Sequence, residues 1–195
     1  MPNWCQNRLE LTGSKKQIQK IYQIIIKNSN KSLNLLKFLP LPDVAPKGFE
    51  EADKSLQIIS DESVPDWYKT NWYKYNIYFF GTKWINDIDL TSNLKAPEQL
   101  NDDLYSLVLH FETAWSPLNQ NFIQKFCEKF HVNLQLTFYE VGAGFFGAAI
   151  YKNGFYNELF EDIEFNEIDN VGIEFEDWIE GELDWAINYL FSFCI

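Results

Sequence analysis

Polar and apolar residues alternate along the first stretch of the chain and then give way to a helical pattern. Over positions 7–12 the alternation is typical of a half-buried strand, in which successive side chains point to opposite faces. Ser14 and Gln17 follow at the spacing of a helix-capping box, and isoleucines then recur at helical spacing. The chain is therefore predicted to begin with a strand over 7–12 and a helix over 15–28.

The same two patterns return in the middle of the chain. Apolar residues alternate with polar ones over 105–112 and again over 133–140, so both stretches are predicted strands. Between them, Leu118 and the phenylalanines that follow recur at helical spacing, and Ser116 followed by a proline is a typical helix start. A helix is therefore predicted over 117–130.

A proline-broken and aromatic-rich insertion is predicted around 39–84. A weaker alternation over 86–91 then predicts the remaining strand. The order strand, helix, strand, strand, helix, strand defines the ferredoxin-like arrangement. We therefore predict an α+β fold of the βαββαβ type, with an antiparallel sheet and two helices on one of its faces.

The last part of the chain adds a hairpin and a helix to this plan. Asn153 and Gly154 stand between two apolar runs and indicate a type I′ hairpin that extends the sheet. Farther on, apolar residues at helical spacing predict a final amphipathic helix that docks on the body or on a partner. The ferredoxin-like domain is assigned to residues 1–157, and an acidic C-terminal extension packed on it to residues 158–195.

Charge changes this picture more than overall composition does. The net charge is −12, yet residues 1–50 carry eight Lys and Arg against three Asp and Glu, whereas residues 151–195 carry one lysine against twelve carboxylates. An acidic surface at one end of a protein suits a basic partner.

The three cysteines lack Cys-x-x-Cys spacing, which indicates neither a disulfide framework nor a zinc site. No apolar run is long enough to span a membrane, so a cytoplasmic protein without membrane contact is predicted.

The acidic segment is the predicted partner-binding site. Its carboxylates are interleaved with large apolar groups, so it would imitate the charge density of nucleic acid while its apolar residues anchor it to a protein. The alternatives are a solvated acidic face without a partner and, for its tryptophan, a place in the core. The candidate residues are Glu161, Asp162, Glu164, Glu167, Asp169, Glu174, Glu176, Asp177 and, as the anchoring aromatic, Trp178.

The outward positions of the predicted strands offer little further chemistry. His110 and Glu112 share a strand face, and Asp87 or Asp89 could supply a third metal ligand. Such a pair is common on strand surfaces, so no catalytic residue, cofactor or metal site is assigned. Carboxylates on this face repel phosphate, which argues against direct nucleic-acid binding of the RNA-recognition type.

Four short strings carry a resemblance to a known family. They are residues 1–7 (MPNWCQN), 81–84 (GTKW), 113–117 (TAWSP) and 139–145 (YEVGAGF). Together they resemble the YubB-like family of plasmid and phage proteins. The resemblance implies a ferredoxin-like domain over residues 1–154 and a mobile-element setting, and it supplies no catalytic residues to transfer. The tryptophans in these strings are interpreted as residues that pack in the core or at its margin.

The leading functional hypothesis is a non-enzymatic phage or mobile-element protein. It would bind a host protein with a basic surface, such as a defence or nucleic-acid-processing factor, and inhibit it; a homodimer is left open. The first alternative is a nucleic-acid-associated module that uses the basic N-terminal half. Its lysines on the first predicted helix are Lys15, Lys16, Lys20 and Lys27. The second alternative is a hydrolase that uses His110 and Glu112.

Overall fold

The computed structural model describes residues 3–27, 32–33, 35–50, 64–84, 88–89, 94–165 and 174–193. In chain order the elements are β1 (Trp4–Gly13), α1 (Lys15–Lys27), β2 (Ser32–Leu33), a 3-10 turn (Leu35–Lys37), α2 (Asp66–Phe80), β3 (Ile88–Asp89), β4 (Glu98–Gln99), β5 (Tyr105–Ala114), α3 (Gln120–Phe130), β6 (Asn133–Glu140), β7 (Phe145–Lys152), β8 (Phe155–Asp162) and α4 (Phe175–Phe191).

The large sheet has the ferredoxin-like strand order with an extension at one side. Within the described residues it contains six strands in the order β4-β5-β1-β6-β7-β8, and every neighbouring pair is antiparallel. The part β4-β5-β1-β6, with α1 after β1 and α3 after β5, is the split βαβ arrangement. The α+β, ferredoxin-like prediction is therefore confirmed, and β7 and β8 form the additional hairpin.

The main core lies between one face of this sheet and the helices α1, α2 and α3. In β1 every second side chain from Cys5 to Leu11 is buried on that face, because alternate residues of a strand point the same way. Isoleucines at helical spacing line the inner side of α1, and phenylalanines line α3, so both helices cover the same face as predicted. Each such side chain stabilises the fold by roughly 1.5–3 kcal/mol through burial.

Local signals in the sequence correctly place the start of α1 and the β7–β8 turn. The Ser14 N–H donates to Oε1 of Gln17 at 2.7 Å, and the Gln17 N–H donates to the Ser14 hydroxyl at 3.5 Å, which is the reciprocal capping box. Asn153 and Gly154 have φ of 52° and 90°, as a type I′ turn requires.

The predicted strand over 86–91 is wrong as a member of the large sheet. Ile88–Asp89 does form a strand, but it pairs with Ser32–Leu33 in a separate two-stranded sheet. The edge next to β5 is instead taken by Glu98–Gln99, which pairs with Ser106 and Tyr105. A two-residue edge strand leaves few backbone groups exposed for unwanted pairing, and it is too short to show an alternating pattern.

The predicted start of the second helix is also corrected. α3 begins at Gln120 with Asn119 as its N-cap, and the Asn119 side chain accepts a hydrogen bond from the Phe122 N–H at 3.2 Å. Ser116 does not cap the helix, because its hydroxyl donates to the carbonyl of Gly81.

The last helix, α4, lies on the sheet face opposite to α1 and α3. Its side chains Ile179, Ala186 and Leu190 are buried against Phe146, Ala148 and Ile150 of β7. The predicted amphipathic helix therefore docks on the body of the protein. The boundary assigned at residue 157 falls inside β8, so the first part of the acidic segment belongs to the sheet itself.

Candidate functional site

The acidic segment forms a solvent-facing surface along β8 and α4. Ten of its twelve carboxylates lie among the described residues, and nine of these ten are exposed. The predicted site residues Glu161, Asp162, Glu164, Glu174, Glu176 and Asp177 are all in this exposed set, whereas Glu167 and Asp169 lie outside the described residues. None of the ten forms an ion pair with a described Lys, Arg or His side chain. The surface therefore carries an uncompensated negative charge.

Trp178 differs from the other predicted site residues because it is partly buried. Its ring centroid lies 5.8 Å from that of Phe146 on β7 and 6.1 Å from that of Phe175. Phe175 in turn contacts the ring of Tyr139 on β6 at 6.0 Å. These aromatic contacts fasten the start of α4 to the sheet, so Trp178 has a structural role in this arrangement.

α4 covers only part of its sheet face and leaves β1 and β5 open. We call the uncovered part the open face; it carries the outward side chains Gln6, Arg8, Glu10, His110 and Glu112. The Gln6 amide donates to Oε1 of Glu112 at 2.6 Å, and Arg8 pairs with Glu10 at 2.9 Å. His110 and Glu112 thus share this face as predicted, whereas Thr137, which stands opposite Arg8 on β6, is buried.

The pKa values of two candidate reactive groups are shifted, one on the open face (His110) and one on the core face of β1 (Cys5). Burial, and then the charges of Arg8 and Lys95, lower the pKa of His110, so its imidazole is neutral at physiological pH. Burial raises the pKa of the Cys5 thiol to about 12, which keeps it protonated. Across the part of the chain that the structure describes, no three His, Cys, Asp or Glu side chains are grouped to hold a metal ion. Asp87 and the side chain of Asp89 lie outside that part.

Tyr139 connects the open face to the acidic helix. It stands opposite Gln6 in the β1–β6 register and contacts Phe175 at the start of α4. Burial raises the pKa of the Tyr139 hydroxyl, and the negative charges of Glu176, Glu112 and Glu180 raise it further. Glu112 of β5 and Glu176 and Glu180 of α4 are exposed, so carboxylates stand both on the open face and on the helix beside it.

Three partly exposed tryptophans stand at the end of the open face, and we call them, with Lys83, the tryptophan corner. Trp4, Trp84 and Trp115 are 40%, 36% and 39% exposed. The ring centroid of Trp84 lies 6.0 Å from that of Trp4 and 6.0 Å from that of Trp115, with interplanar angles of 34° in both pairs. The three rings thus form one continuous aromatic surface, instead of packing in the core.

Lys83 shows that these rings can accept a cation. Its Nζ atom lies 4.7 Å from the ring centroid of Trp84, 4.9 Å from that of Trp115 and 5.6 Å from that of Tyr73. A cation over an exposed aromatic face gains about 0.5–1 kcal/mol. The corner therefore has the chemistry to hold a positively charged group.

The turn after α2 is fastened to the end of β5. Gly81 ends α2 at φ 84°, and a Cβ atom there would come within 2.6 Å of the Pro117 carbonyl oxygen. The hydroxyl of the fully buried Thr82 donates to the Ala114 carbonyl at 3.0 Å. The Ser116 hydroxyl donates in the opposite direction, to the Gly81 carbonyl. These bonds fix Trp84 and Trp115 side by side.

Two buried asparagines continue this hydrogen-bond network. The Asn76 amide donates to the Lys83 carbonyl at 2.8 Å, and its Oδ1 atom accepts from the Tyr68 hydroxyl at 2.8 Å. The Asn7 amide donates to the Thr113 hydroxyl at 2.9 Å. Buried polar groups are costly unless they are paired, so such a network favours one arrangement of the surrounding backbone.

The fourth string, residues 139–145, includes the β6–β7 turn and lies beside the tryptophan corner. The buried carboxylate of Glu140 accepts hydrogen bonds from the N–H groups of Gly142 and Ala143, the former at 2.7 Å. It also accepts from the Asn3 amide at 3.3 Å, and the Asn3 carbonyl accepts from the Trp115 N–H at 2.9 Å. All four strings that carried the family resemblance thus meet at one end of the sheet.

Trp115 has an unusual backbone conformation for a large residue, with φ at 69°. A left-handed conformation costs a non-glycine residue about 1–2 kcal/mol, and bulky residues rarely adopt it. Here the turn between β5 and α3 holds the ring beside Trp84. Sequence analysis missed the corner because its members are far apart in the chain. The available signal was that three of the four strings contain a tryptophan.

Comparison with known proteins bears on the fold. Residues 97–178 match the family model described as the ferredoxin-like domain in Api92-like protein. The chain carries a ferredoxin-like domain similar to that of Api92-like proteins. This Api92-like region begins just before β4 and ends in α4, so it extends beyond residue 154, where the resemblance was expected to end. The YubB-like name is not confirmed.

Among solved structures, the crystal structure of the protein api92 from Yersinia pseudotuberculosis is similar to this chain. The identity is 10%, the TM-score is 0.45, and the alignment covers 83% of this chain and 98% of that chain. None of the curated proteins matches. Among the described helices, none has both the length and the apolar character needed to cross a membrane.

Proposed function

We propose that the protein is a non-enzymatic binding protein that holds a basic segment of another protein on its open face. The observation that carries the proposal is the meeting of two features on one surface. Carboxylates stand on the open face and on α4 beside it, and the tryptophan corner stands at the end of that face. Charge would attract the partner, and the aromatic surface would anchor it.

The carboxylates that support this proposal lack basic partners. The negative charges of Glu112, Glu176 and Glu180 all raise the pKa of Tyr139, and among the described residues none of the three carboxylates is in an ion pair. Arg8 is nearby but already pairs with Glu10. Exposed like charges repel each other, so an arriving Arg or Lys side chain would relieve that repulsion.

The rings of the tryptophan corner favour a partner that contains arginine. The guanidinium group of arginine is planar and stacks on aromatic faces while it pairs with carboxylates. Lys83 already occupies part of the ring surface, and the remaining exposed area of Trp4, Trp84 and Trp115 is open to solvent. Tryptophan and arginine are also the residues most enriched among binding hot spots.

The fuller form of the proposal concerns the kind of partner. A protein that normally binds nucleic acid presents a basic surface, and an acidic surface competes for it by charge imitation. We therefore propose a host defence or nucleic-acid-processing protein as the partner, and inhibition as the outcome, as expected for a phage or mobile-element protein.

Binding of a fluorescein-labelled peptide of about 12 residues, alternating arginine and serine, tests the proposal by fluorescence anisotropy. We expect the double variant Glu176→Gln/Glu180→Gln to bind roughly fivefold more weakly, because it loses two carboxylates on the helix beside the open face. Trp84→Ala should weaken binding by a similar factor, because it removes the middle ring of the aromatic surface.

The matched control is Asp102→Asn/Asp103→Asn, which removes the same charge from an exposed turn at the other end of β5. It should change the affinity less than about twofold. An equal loss in both double variants would show nonspecific charge attraction and refute the proposal. A thymidine oligonucleotide of equal length that binds more tightly than the peptide would favour the nucleic-acid-associated module instead.

A further inference from the structure

A cavity of about 520 Å³ lies away from the open face, between α2, α3 and the proline-containing segment 39–49. Its volume falls within the range of small-molecule sites. The walls combine aromatic rings, prolines and the three lysines Lys47, Lys125 and Lys129. Every charged side chain among its described lining residues is therefore cationic, although the whole chain has a net charge of −12.

The lysines of α3 are arranged as an anion site would require. Lys125 and Lys129 are one helical turn apart and so face the same side, an arrangement that costs a few tenths of a kcal/mol through repulsion. The Lys129 ammonium donates to the Phe38 carbonyl at 2.6 Å, which fixes its position and leaves other N–H groups available. Neither lysine pairs with a described carboxylate.

An aromatic side chain stands at the mouth of the same cavity. Tyr78 is 59% exposed, and its ring centroid lies 5.6 Å from that of Phe49 in the wall. Its backbone carbonyl accepts hydrogen bonds from the side-chain amides of Asn119 and Asn121 at 2.8 and 2.9 Å. The backbone of Tyr78 is thus fixed to the start of α3, and its exposed ring lies beside Phe49 at the cavity.

The proline-containing segment 39–49, which forms one wall of the cavity, is hydrogen-bonded to α2 at two points. The Trp67 indole N–H donates to the Pro42 carbonyl at 3.1 Å, and the Asn71 amide donates to the Phe49 carbonyl at 3.1 Å. The segment therefore keeps a fixed distance from the helix, and the cavity is a built feature of the fold.

We propose that this cavity binds a small nucleotide-class ligand, with its phosphate groups on the lysines and its flat ring on Tyr78. Lys125 and Lys129 supply charge-assisted hydrogen bonds to phosphate oxygens, and Lys47 adds a third positive charge from the segment 39–49. Tyr78 supplies a stacking face of the kind that bases use on aromatic side chains. The site is separate from the open face and does not depend on the function proposed above.

Isothermal titration calorimetry of the full chain with ATP in magnesium-free buffer tests this inference. We expect saturable binding that weakens at least about tenfold in Lys125→Gln/Lys129→Gln. The matched control is Lys15→Gln/Lys16→Gln, which removes the same charge from two exposed positions at the start of α1. It should change the affinity less than about twofold. Thermal melts check that each variant is folded.

Two further titrations separate the parts of the ligand. Tyr78→Ala should weaken ATP binding several-fold and leave inorganic tripolyphosphate unchanged, because only ATP has a ring to stack. Absence of ATP binding at millimolar concentration would overturn the inference, as would an equal loss in both lysine pairs. Tripolyphosphate that binds as tightly as ATP, together with no effect of Tyr78→Ala, would also overturn it.

Discussion

Single buried polar groups determine the geometry of the tryptophan corner. Thr82 is fully buried, and its one hydroxyl bond to the Ala114 carbonyl joins the turn after α2 to β5. We expect Thr82→Val to lower the free energy of unfolding by about 1–2 kcal/mol, since the fully buried Ala114 carbonyl loses this donor. Urea denaturation measures the loss, and tryptophan fluorescence reports the displaced Trp84.

Thr82→Ser is the control because it keeps the hydroxyl while it removes a methyl group. It should retain the native fluorescence spectrum and the affinity for the arginine–serine peptide, even though the lost methyl costs about 0.8 kcal/mol of burial. If Thr82→Val showed native stability and native peptide binding, the hydroxyl bond would not be what positions the corner.

At the scale of elements, α4 is held to β7 by packing despite an exposed glycine within the helix. Gly181 lies within α4, and a Cβ atom placed on it would meet no atom within 4 Å. We expect Gly181→Ala to raise the free energy of unfolding by about 0.5–1 kcal/mol, because alanine loses less backbone entropy in a helix. Urea denaturation of the whole protein shows this increase in the free energy of unfolding only if α4 unfolds together with the sheet.

Gly147 on β7 differs from Gly181 because it has no room for a Cβ atom. A Cβ atom there would lie 2.2 Å from the Leu159 carbonyl oxygen of β8, so Gly147→Ala should strongly destabilise the β7–β8 pair. An unchanged midpoint in Gly181→Ala, alongside a large loss in Gly147→Ala, would show that α4 melts separately from the sheet.

The elements differ in how far their sequence could predict them. α1 carries its own signals, namely the capping box and isoleucines that bury one side, so its position followed from local pattern. β4 has only two polar residues, and its place at the edge depends on pairing with β5, which no local pattern records. The side of the sheet that α4 covers is likewise not recorded locally, because β7 is buried on both faces and only tertiary packing puts α4 on Phe146, Ala148 and Ile150.

The tryptophan corner could not be predicted for a related reason. Trp4, Trp84 and Trp115 each lie at or just beyond the end of a different element, and the strand register and hydrogen bonds such as that of Thr82 bring them together. Large aromatic residues are usually interpreted as core residues, because burial accounts for most of their contribution to stability. Their partial exposure here depends on the tertiary network beneath them.

For the whole molecule, the charge polarity of the sequence becomes a polarity between two faces. Exposed lysines of α1 and α3 lie on one side of the sheet, and the carboxylates of α4 lie on the other. The two proposed sites follow this division, since the lysine-lined cavity suits an anion and the open face suits a cation. The two proposed ligands would therefore not compete for one surface.

This polarity makes the kinetics of partner binding sensitive to salt. Exposed charges act mainly on the association rate, and they are screened over about 8 Å at physiological ionic strength. We expect a change from about 0.05 M to about 0.5 M NaCl to slow association of the arginine–serine peptide on the order of tenfold, while dissociation changes little. Stopped-flow fluorescence measures both rates.

Trp84→Ala should behave in the opposite way, with faster dissociation and nearly unchanged association, because a contact made at close range acts after the encounter. The charge-removing pair Glu176→Gln/Glu180→Gln should reduce the salt dependence of association, and Asp102→Asn/Asp103→Asn should leave it as it is. The proposal is that the carboxylates speed association and that the tryptophan corner slows dissociation. It would be wrong if salt acted mainly on dissociation, or if Trp84→Ala slowed association alone.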